Sequence, residues 1–200
     1  MVAAHQPLPV SGQAMQERGD AARNRGLLLD AARRLIADRG PDAVTMDDIA
    51  TAAGVGKGTL FRRFGSRSGL MIVLLDEDEQ ALQRAFLSGP APLGPSAPPL
   101  DRLLAYGRAR LTFVAEHLRL LCDAARDAQT RYNALATLHR THVRVLLDAA
   151  QTTGDLDAQA DALLALLDAV YVAHQLEGVG RSLDELGVAW ESVARKLSGR

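Results

Sequence analysis

The sequence predicts an all-α fold in which an N-terminal three-helix domain with a helix-turn-helix precedes a C-terminal helical bundle. Three observations predict it. Apolar residues recur at helical spacing along most of the chain, residues 45–67 read as two short helices around a glycine turn, and no stretch alternates as a strand does. We place a flexible N-terminal arm at 1–19, the helix-turn-helix domain at 20–67 and the bundle at 68–200.

The charge of the chain is divided unevenly between its two ends. The 200 residues carry a formal net charge of −1, and 48% of them are apolar, enough for one or two small domains. Residues 1–67 hold ten Lys and Arg against seven Asp and Glu, whereas residues 68–200 hold thirteen against seventeen. A basic head on an acidic body indicates that only the N-terminal part meets phosphates.

The first helix follows an arm rich in Pro, Gln and Ser. The arm ends near Arg18, Arg23 and Arg25, and two interpretations stay open: it lies in a minor groove of DNA, or it is a solvated tail. From about Asp20 to Arg39 apolar residues recur at helical spacing, and Gly40-Pro41 ends this helix.

The second helix begins after Thr45, whose hydroxyl is placed to cap the backbone N–H of Asp48. Its inward face holds Ile49, Ala50 and Ala53. Gly54 then fits a left-handed C-terminal cap, which strains other residues.

The third helix, Lys57 to Phe64, has the two faces that a recognition helix needs. Leu60 and Phe64 point inward, one turn apart. Its outward face is polar and basic and consists of Lys57, Thr59, Phe61, Arg62 and Arg63.

The rest of the chain predicts helices joined by loops. A long helix runs from Ser66 to about Leu87, and we interpret its acidic run, Asp76 to Glu79, as a solvated face. Five of the eight prolines lie in 89–99, which predicts a loop. The helices expected beyond it are Leu100 to His117, Arg119 to Ala128, Arg131 to Thr152, Asp155 to Leu176 and Ser182 to Leu197, the last with a Ser182-x-x-Glu185 capping box.

The N-terminal third of the chain resembles the DNA-binding domain of the TetR/AcrR family of bacterial transcriptional regulators. The resemblance covers roughly residues 20–75 and rests on LLLDAARRLIADRG, VTMDDIATAAGVGKGTLFRRF and GSRSGL, in the order and spacing of the family. The chain departs from it at four positions, with Gly56 for Ser, Phe61 for Tyr, Arg63 for His and Arg67 for Lys. These departures shift the expected phosphate contacts from hydroxyl groups to arginine.

The resemblance implies a homodimer on a palindromic double-stranded DNA operator, and a repressor that a small-molecule effector of unknown identity releases. It places Thr45 on a phosphate and Lys57, Gly58 and Thr59 at the start of the recognition helix, and we add Phe61, Arg62, Arg63 and Arg67 to the expected DNA contacts. We expect no cofactor, no catalysis, no membrane contact and a cytoplasmic location.

The bundle is expected to pair with a second copy and to enclose the effector. The last two helices have a broader apolar surface than packing against one neighbouring helix needs, which indicates a dimer interface. The alternative is that these residues belong wholly to the protomer's core. The candidates for the dimer interface are Leu163, Leu166, Leu167, Val170, Trp190 and Val193. Scattered polar and aromatic residues are candidates for the effector pocket: Tyr106, Arg110, Phe113, His117, Tyr132, His139, Tyr171 and His174.

Two further groups are better explained by structure than by chemistry. His139 and His142 share a helix face but lack a second pair of ligands at metal spacing, so no metal site is predicted. Cys122 is expected to be a packing residue. Two alternatives to the leading function stay open: an all-helical enzyme or ligand carrier with an incidental basic head, and a DNA-binding regulator without an effector.

Overall fold

The computed structural model describes the backbone of residues 11–124 and 134–199, and the side chains of residues 20–122 and 135–199. Every regular element in these ranges is a helix, as the sequence predicts. The chain divides into two compact units, Met1–Leu74 and Leu75–Arg200. The division falls inside one long helix, seven residues beyond the boundary at residue 67 that we placed from the sequence.

The first unit begins with a helix that is longer than expected. Helix α1 spans Ser11–Arg39, so its first turns occupy residues 11–19 of the predicted arm, while residues 1–10 lie outside the described part. Residues such as Ala, Met, Gln, Glu and Arg favour helix without any apolar stripe, and the stripe was the signal by which we placed the start at residue 20.

Three short elements complete the first unit with the start of a long helix. A 3₁₀ turn, Pro41–Ala43, precedes α2 at Met46–Ala53, and α3 at Lys57–Phe64 is followed by α4 at Arg67–Ser88. The core of the unit is apolar and draws on all four helices: Leu28, Ala31, Ala32, Val44, Ile49, Ala50, Leu60, Phe64, Leu70 and Leu74.

The second unit continues α4 and adds the bundle. Its helices pack around one apolar core that includes Phe86, Leu103, Tyr106, Leu146 and Val172. The bundle helices are α5 at Pro99–Glu116, α6 at Leu118–Ala124, α7 at Ala134–Ala149, α8 at Leu156–Ala165, α9 at Ala169–Ala173, a π-helical turn at His174–Val179 and α10 at Leu183–Leu197.

The single helix predicted from Asp155 to Leu176 was wrong, because the structure breaks it in two. Asp168 is the N-cap of the second piece, where its Oδ1 accepts hydrogen bonds from the backbone N–H of Val170 at 2.9 Å and of Tyr171 at 3.3 Å. A carboxylate that satisfies free N–H groups stabilises a new helix start, and this local signal competed with the apolar periodicity. The capping box of Ser182 and Glu185, by contrast, is present as predicted.

Helix α5 packs against α10 through a glycine and the chain's one tryptophan. The Trp190 ring is 2% exposed, and its Nε1 donates a hydrogen bond to the carbonyl of Leu163 at 3.0 Å. Gly107 lies against the face of this ring, with no room for a Cβ atom. The fit of ring to glycine therefore sets how closely the two helices approach.

The same burial revises the predicted dimer interface. Leu163, Leu167 and Trp190 belong to the core of the second unit, so they have no surface left to offer a partner. Apolar periodicity could not separate a helix face buried in the protomer from one buried between protomers. Leu166 packs partly against the core, and Val170 and Val193 remain exposed.

Within the described ranges, no single helix is both long and apolar enough to span a membrane. Only α8 joined to the segment Ala169–Val179, across a bend of 41°, has the length and composition to do so.

We expect Gly107→Ala to lower the free energy of unfolding of the second unit by about 1–3 kcal/mol, because the new methyl group overpacks the interface with Trp190. Urea unfolding followed by Trp190 fluorescence measures the change. Gly187→Ala is the matched control, since its Cβ would meet only the guanidinium of Arg108, which can move. Equal stability of the two variants would contradict the proposed role of Gly107.

Candidate functional site

The start of α2 is held by the capping box that the sequence predicts. Thr45 Oγ1 accepts a hydrogen bond from the backbone N–H of Asp48 at 3.2 Å, and the Asp48 carboxylate accepts from the Thr45 backbone N–H at 3.0 Å and from its hydroxyl at 2.6 Å. These hydrogen bonds from Thr45 lower the pKa of the Asp48 carboxyl. Thr45 is exposed at this helix start, where free N–H groups favour an anion.

The turn between α2 and α3 depends on Gly54, which has φ 64° and ψ 28°, the left-handed conformation that was predicted. The N–H of Val55 donates to the carbonyl of Ala50 at 3.0 Å, which closes the helix end. Two residues later Gly56 begins α3 without any side-chain cap. Gly56 therefore offers no side chain to the first backbone N–H groups of α3.

Helix α3 buries its apolar side chains on one side. Leu60 is fully buried and Phe64 is 8% exposed, as the sequence predicts. The opposite side carries the exposed residues Lys57, Phe61, Arg62 and Arg63, with Thr59 half-buried beside them. An apolar ring exposed to 40% among cations is unusual for a surface that meets only water.

Lys57 sits at the first position of α3 with a neighbouring carboxylate. Its Nζ lies 2.7 Å from the Asp47 carboxylate, and both side chains are about 60% exposed. The same Nζ lies 5.9 Å from the centroid of the Phe61 ring. An exposed ion pair of this kind contributes about 0–1 kcal/mol, so a phosphate can replace Asp47 at little cost.

The two adjacent arginines of α3 have different partners. Arg62 Nη2 lies 3.4 Å from Thr59 Oγ1, a weak contact along the same helix. Arg63 Nη1 instead donates to the backbone carbonyl of Ala21 in α1, at 2.7 Å. Arg62 is therefore free to reach outward, whereas Arg63 ties α3 to α1.

Arg67, at the start of α4, also binds the protein's own backbone. Its Nε donates to the carbonyl of Val44 at 3.2 Å, and its Nη2 donates to the carbonyl of Pro41. The side chain is half-buried in this position. It fixes the start of α4 to the turn that precedes α2, a role that its position in the sequence did not reveal.

A groove of about 610 Å³ lies between α1 and α3 on the side of the two arginines. The groove is lined by Asp20, Ala21, Asn24, Thr59, Arg62 and Arg63. The exposed face of α3 thus continues onto the N-terminal part of α1, which extends the candidate nucleic-acid interface beyond the helix-turn-helix.

A second group of polar residues lies inside the second unit, around the carboxylate of Glu79. Arg110 Nη1 donates to Glu79 Oε2 at 2.7 Å, and Gln83 Nε2 donates to Oε1 at 3.0 Å. His139 Nε2 lies 2.9 Å from Oε1, and its Nδ1 lies 2.8 Å from the hydroxyl of Tyr106. A neutral His139 with its proton on Nε2 satisfies both contacts. We call these five residues the Glu79 network.

Burial and charge act in opposite directions on this network. Burial raises the pKa of the Glu79 carboxyl, but the hydrogen bond from His139 and the charge of Arg110 outweigh it and lower the pKa to about 2. Burial raises the pKa of the Tyr106 hydroxyl. The carboxylate is thus charged and the phenol neutral at physiological pH.

The interpretation of Glu79 as part of a solvated face was wrong, since its side chain is 8% exposed. The spacing of Leu75, Glu79, Leu82 and Phe86 along α4 places it on the packed face, and this was the signal that could have found it. Its cationic partner lies 31 residues away in sequence, so the compensation for burial was not visible.

Aromatic rings surround the network. The Arg110 guanidinium lies 4.7 Å from the centroid of Phe113, which in turn lies 4.9 Å from His117. Phe86 stacks on His142 with the ring centroids 4.2 Å apart. The structure therefore brings five predicted pocket residues into one region: Tyr106, Arg110, Phe113, His117 and His139.

The remaining pocket candidates are not gathered there. Tyr171 packs half-buried against the core, His174 is exposed, and Tyr132 lies outside the described residues. Cys122 is half-buried, with its Sγ 3.5 Å from the carbonyl of Ala169. In the part of the chain that the structure describes, no group of three or more His, Cys, Asp or Glu side chains is arranged to hold a metal ion.

Comparison with known proteins shows that the chain is similar to bacterial transcriptional regulators. The family described as bacterial regulatory proteins, tetR family, matches residues 28–74. The transcriptional regulator BetI of Rhizobium meliloti is 28% identical over 169 residues, which cover 80% of this chain and 82% of that protein. The transcriptional activator FasR of Mycolicibacterium smegmatis is 39% identical over 67 residues, which cover 34% of this chain and 31% of that protein.

Solved structures extend the likeness of fold to most of the chain. A transcriptional regulator from Saccharomonospora viridis in complex with choline superposes with a TM-score of 0.65 at 21% identity, covering 84% of this chain and 93% of that one. A TetR-like regulator from Rhodococcus sp. RHA1 gives 0.54 at 25% identity, covering 88% and 97%. Residues 28–74 thus match the tetR family of bacterial regulatory proteins, and the helix-turn-helix that they contain is a DNA-binding element.

Proposed function

We propose that two copies of the chain bind a palindromic operator through α3 and that a small molecule held by the second unit releases them. The observation that carries the DNA-binding part is the one-sided burial of α3, which leaves a cationic face exposed beside a helix start without a side-chain cap. A helix of this kind enters the major groove with its N-terminal residues at the base edges.

The basic residues divide into contacts and supports. We assign Lys57, Arg62 and the Phe61 ring to direct contact with DNA, since their side chains are exposed. Thr45, Gly58 and Thr59 line the two helix starts, where a phosphate can approach the backbone. We assign Arg63 and Arg67 to positioning, because both donate to backbone carbonyls.

Dimerisation would place two α3 helices in successive major grooves. A two-fold operator with half-sites about 34–36 Å apart requires a partner copy related by a two-fold axis. Exposed apolar residues on the last helices, Val170 and Val193, support a pairing surface there, with the half-buried Leu166 at its edge.

The effector part of the proposal is supported by the Glu79 network, a buried charged group in the body of a regulator. The Saccharomonospora viridis regulator, whose fold is similar, binds choline, which is a precedent for a small organic ligand in this fold. We propose that the protein is a repressor: without its ligand it stays on the operator and represses the genes beside it, and ligand binding releases it. A regulator without an effector is the alternative.

We expect Arg62→Ala to weaken binding to the operator by about 1–3 kcal/mol and to reduce the slope of log K against log salt concentration by about 0.9, because one phosphate or base contact is lost. Lys57→Ala should behave in the same direction. Fluorescence anisotropy over a series of salt concentrations, with the operator selected from a random DNA pool, measures both quantities.

The matched comparison is Arg63→Ala. It removes the same charge from the neighbouring position, yet the guanidinium is bound to Ala21, so we expect weaker binding with an unchanged salt slope. If Arg62→Ala left affinity and slope as in the wild type, α3 would not be the recognition helix.

We expect the double variant Val170→Glu and Val193→Glu to shift the protein from dimer to monomer and to lower operator affinity, because charges on the pairing surface repel across the two-fold axis. Light scattering coupled to size-exclusion chromatography measures the mass. Val145→Glu is the control, since Val145 is 51% exposed on α7. A dimer that persists in the double variant would place the interface elsewhere.

A further inference from the structure

We propose that the second unit binds a small organic cation, of the ammonium or quaternary ammonium class, between the Glu79 carboxylate and the ring of Phe113. In this structure the guanidinium of Arg110 fills that place. The proposal rests on the proposed effector control and names the chemical class of the ligand and the groups that recognise it.

The surroundings of the Arg110 guanidinium are those that an organic ammonium ion prefers. The guanidinium lies 2.7 Å from the Glu79 carboxylate and 4.7 Å from the centroid of the Phe113 ring. Cation–π contact with an aromatic face is the recurring means by which proteins recognise quaternary ammonium groups. Glu79 and Phe113 are both buried, so an ion bound between them is largely desolvated.

Arg110 lies closer to solvent than Glu79 and His139, its neighbours in the network. Its side chain is 16% exposed, whereas those of Glu79 and His139 are 8% and 5% exposed. A long, flexible side chain can move its charge to water and leave behind a space bounded by the same carboxylate and ring. A preformed cavity is therefore not required.

Because the ligand replaces a cationic side chain, the site prefers positively charged ligands to neutral ones. When a cationic ligand replaces Arg110, the Glu79 carboxylate keeps a positive partner. An uncharged ligand of the same size would leave a buried carboxylate short of its ion pair, which is strongly unfavourable. The site thus rejects neutral molecules by the cost of the group they leave unpaired.

Stability alone does not explain the network. A buried ion pair is on average no more stabilising than apolar side chains of the same volume, and breaking one is costly. Beside the network, the Nε2 atom of His142 is buried without a hydrogen-bond partner among the described residues, and the side chain is 8% exposed. The His142 ring centroid lies 5.2 Å from that of Tyr106. An unsatisfied buried nitrogen at this position points to a polar group of a ligand.

Replacing Arg110 would also remove a direct link between two helices of the second unit. Glu79 lies on α4 and Arg110 on α5, so their ion pair holds the two together. Helix α4 also contributes Leu70 and Leu74 to the core of the first unit. A ligand that takes over the carboxylate would therefore change the support of the helix that both units share.

Isothermal titration calorimetry of the full-length protein with tetramethylammonium chloride tests the proposal, with tert-butanol as an uncharged probe of similar size and sodium chloride at equal ionic strength as the blank. We expect the cation to bind and tert-butanol not to bind. Glu79→Gln should weaken cation binding by about tenfold or more, and Arg110→Met should strengthen it by about tenfold, because the competing cation is gone.

Two further variants control for folding and for position. Phe113→Leu keeps the apolar volume but removes the aromatic face, so it should weaken cation binding several-fold even if Glu79→Gln does not fold. Arg108→Met removes a charge from the same helix, where Arg108 pairs with Asp184 and Glu191, and should leave binding unchanged. Thermal unfolding checks each variant.

Three results would overturn the proposal: equal binding of tert-butanol, full cation affinity in Glu79→Gln, or loss of cation binding in Arg110→Met. Operator binding is measured on the same samples to separate the two proposals. A protein that binds its operator but no cation refutes this inference and leaves DNA binding intact. If the cation binds but operator affinity is unchanged, the cation site is supported and release from the operator by this ligand is refuted.

Discussion

The burial of Leu60 and Phe64 in the core of the first unit is the constraint on which the DNA-binding surface depends. The two side chains are one turn apart on α3, so burying both fixes the rotation of the helix about its axis. Lys57, Phe61, Arg62 and Arg63 on the opposite side are then exposed by geometry and not by their own preference. This is why an aromatic ring, Phe61, can remain in solvent beside Lys57 and Arg62.

Several arginines of the two units bind other groups of the protein itself. Arg63 and Arg67 donate hydrogen bonds to backbone carbonyls that would otherwise need other partners. Arg110 forms an ion pair with the carboxylate of Glu79. In each case a guanidinium joins two helices or a helix and a turn through a charge-assisted hydrogen bond. Counting basic residues therefore overstates the charge that is available for DNA.

Local patterns predicted what local forces control. The capping boxes at Thr45 and Ser182 and the left-handed turn at Gly54 involve residues within four positions of each other, and the structure confirms all three. Contacts between distant residues were beyond reach of the same reasoning. Tyr106, Arg110 and His139 were chosen as pocket residues by type, yet the carboxylate that binds Arg110 and His139 was assigned to solvent.

The sequence by itself determined the helical class, the position and start of α3 and the resemblance of the N-terminal domain to the tetR family, because hydrophobic periodicity, capping and glycine turns act over a few residues. The tertiary structure decided which arginines remain free, that Glu79 is buried, and that Leu163 and Trp190 belong to the protomer's own core. These outcomes depend on which side chains meet across 27 to 60 residues of chain. A buried charge is tolerated only when a compensating group lies next to it. Here that group comes from a distant part of the sequence, so tertiary packing decides whether the two meet.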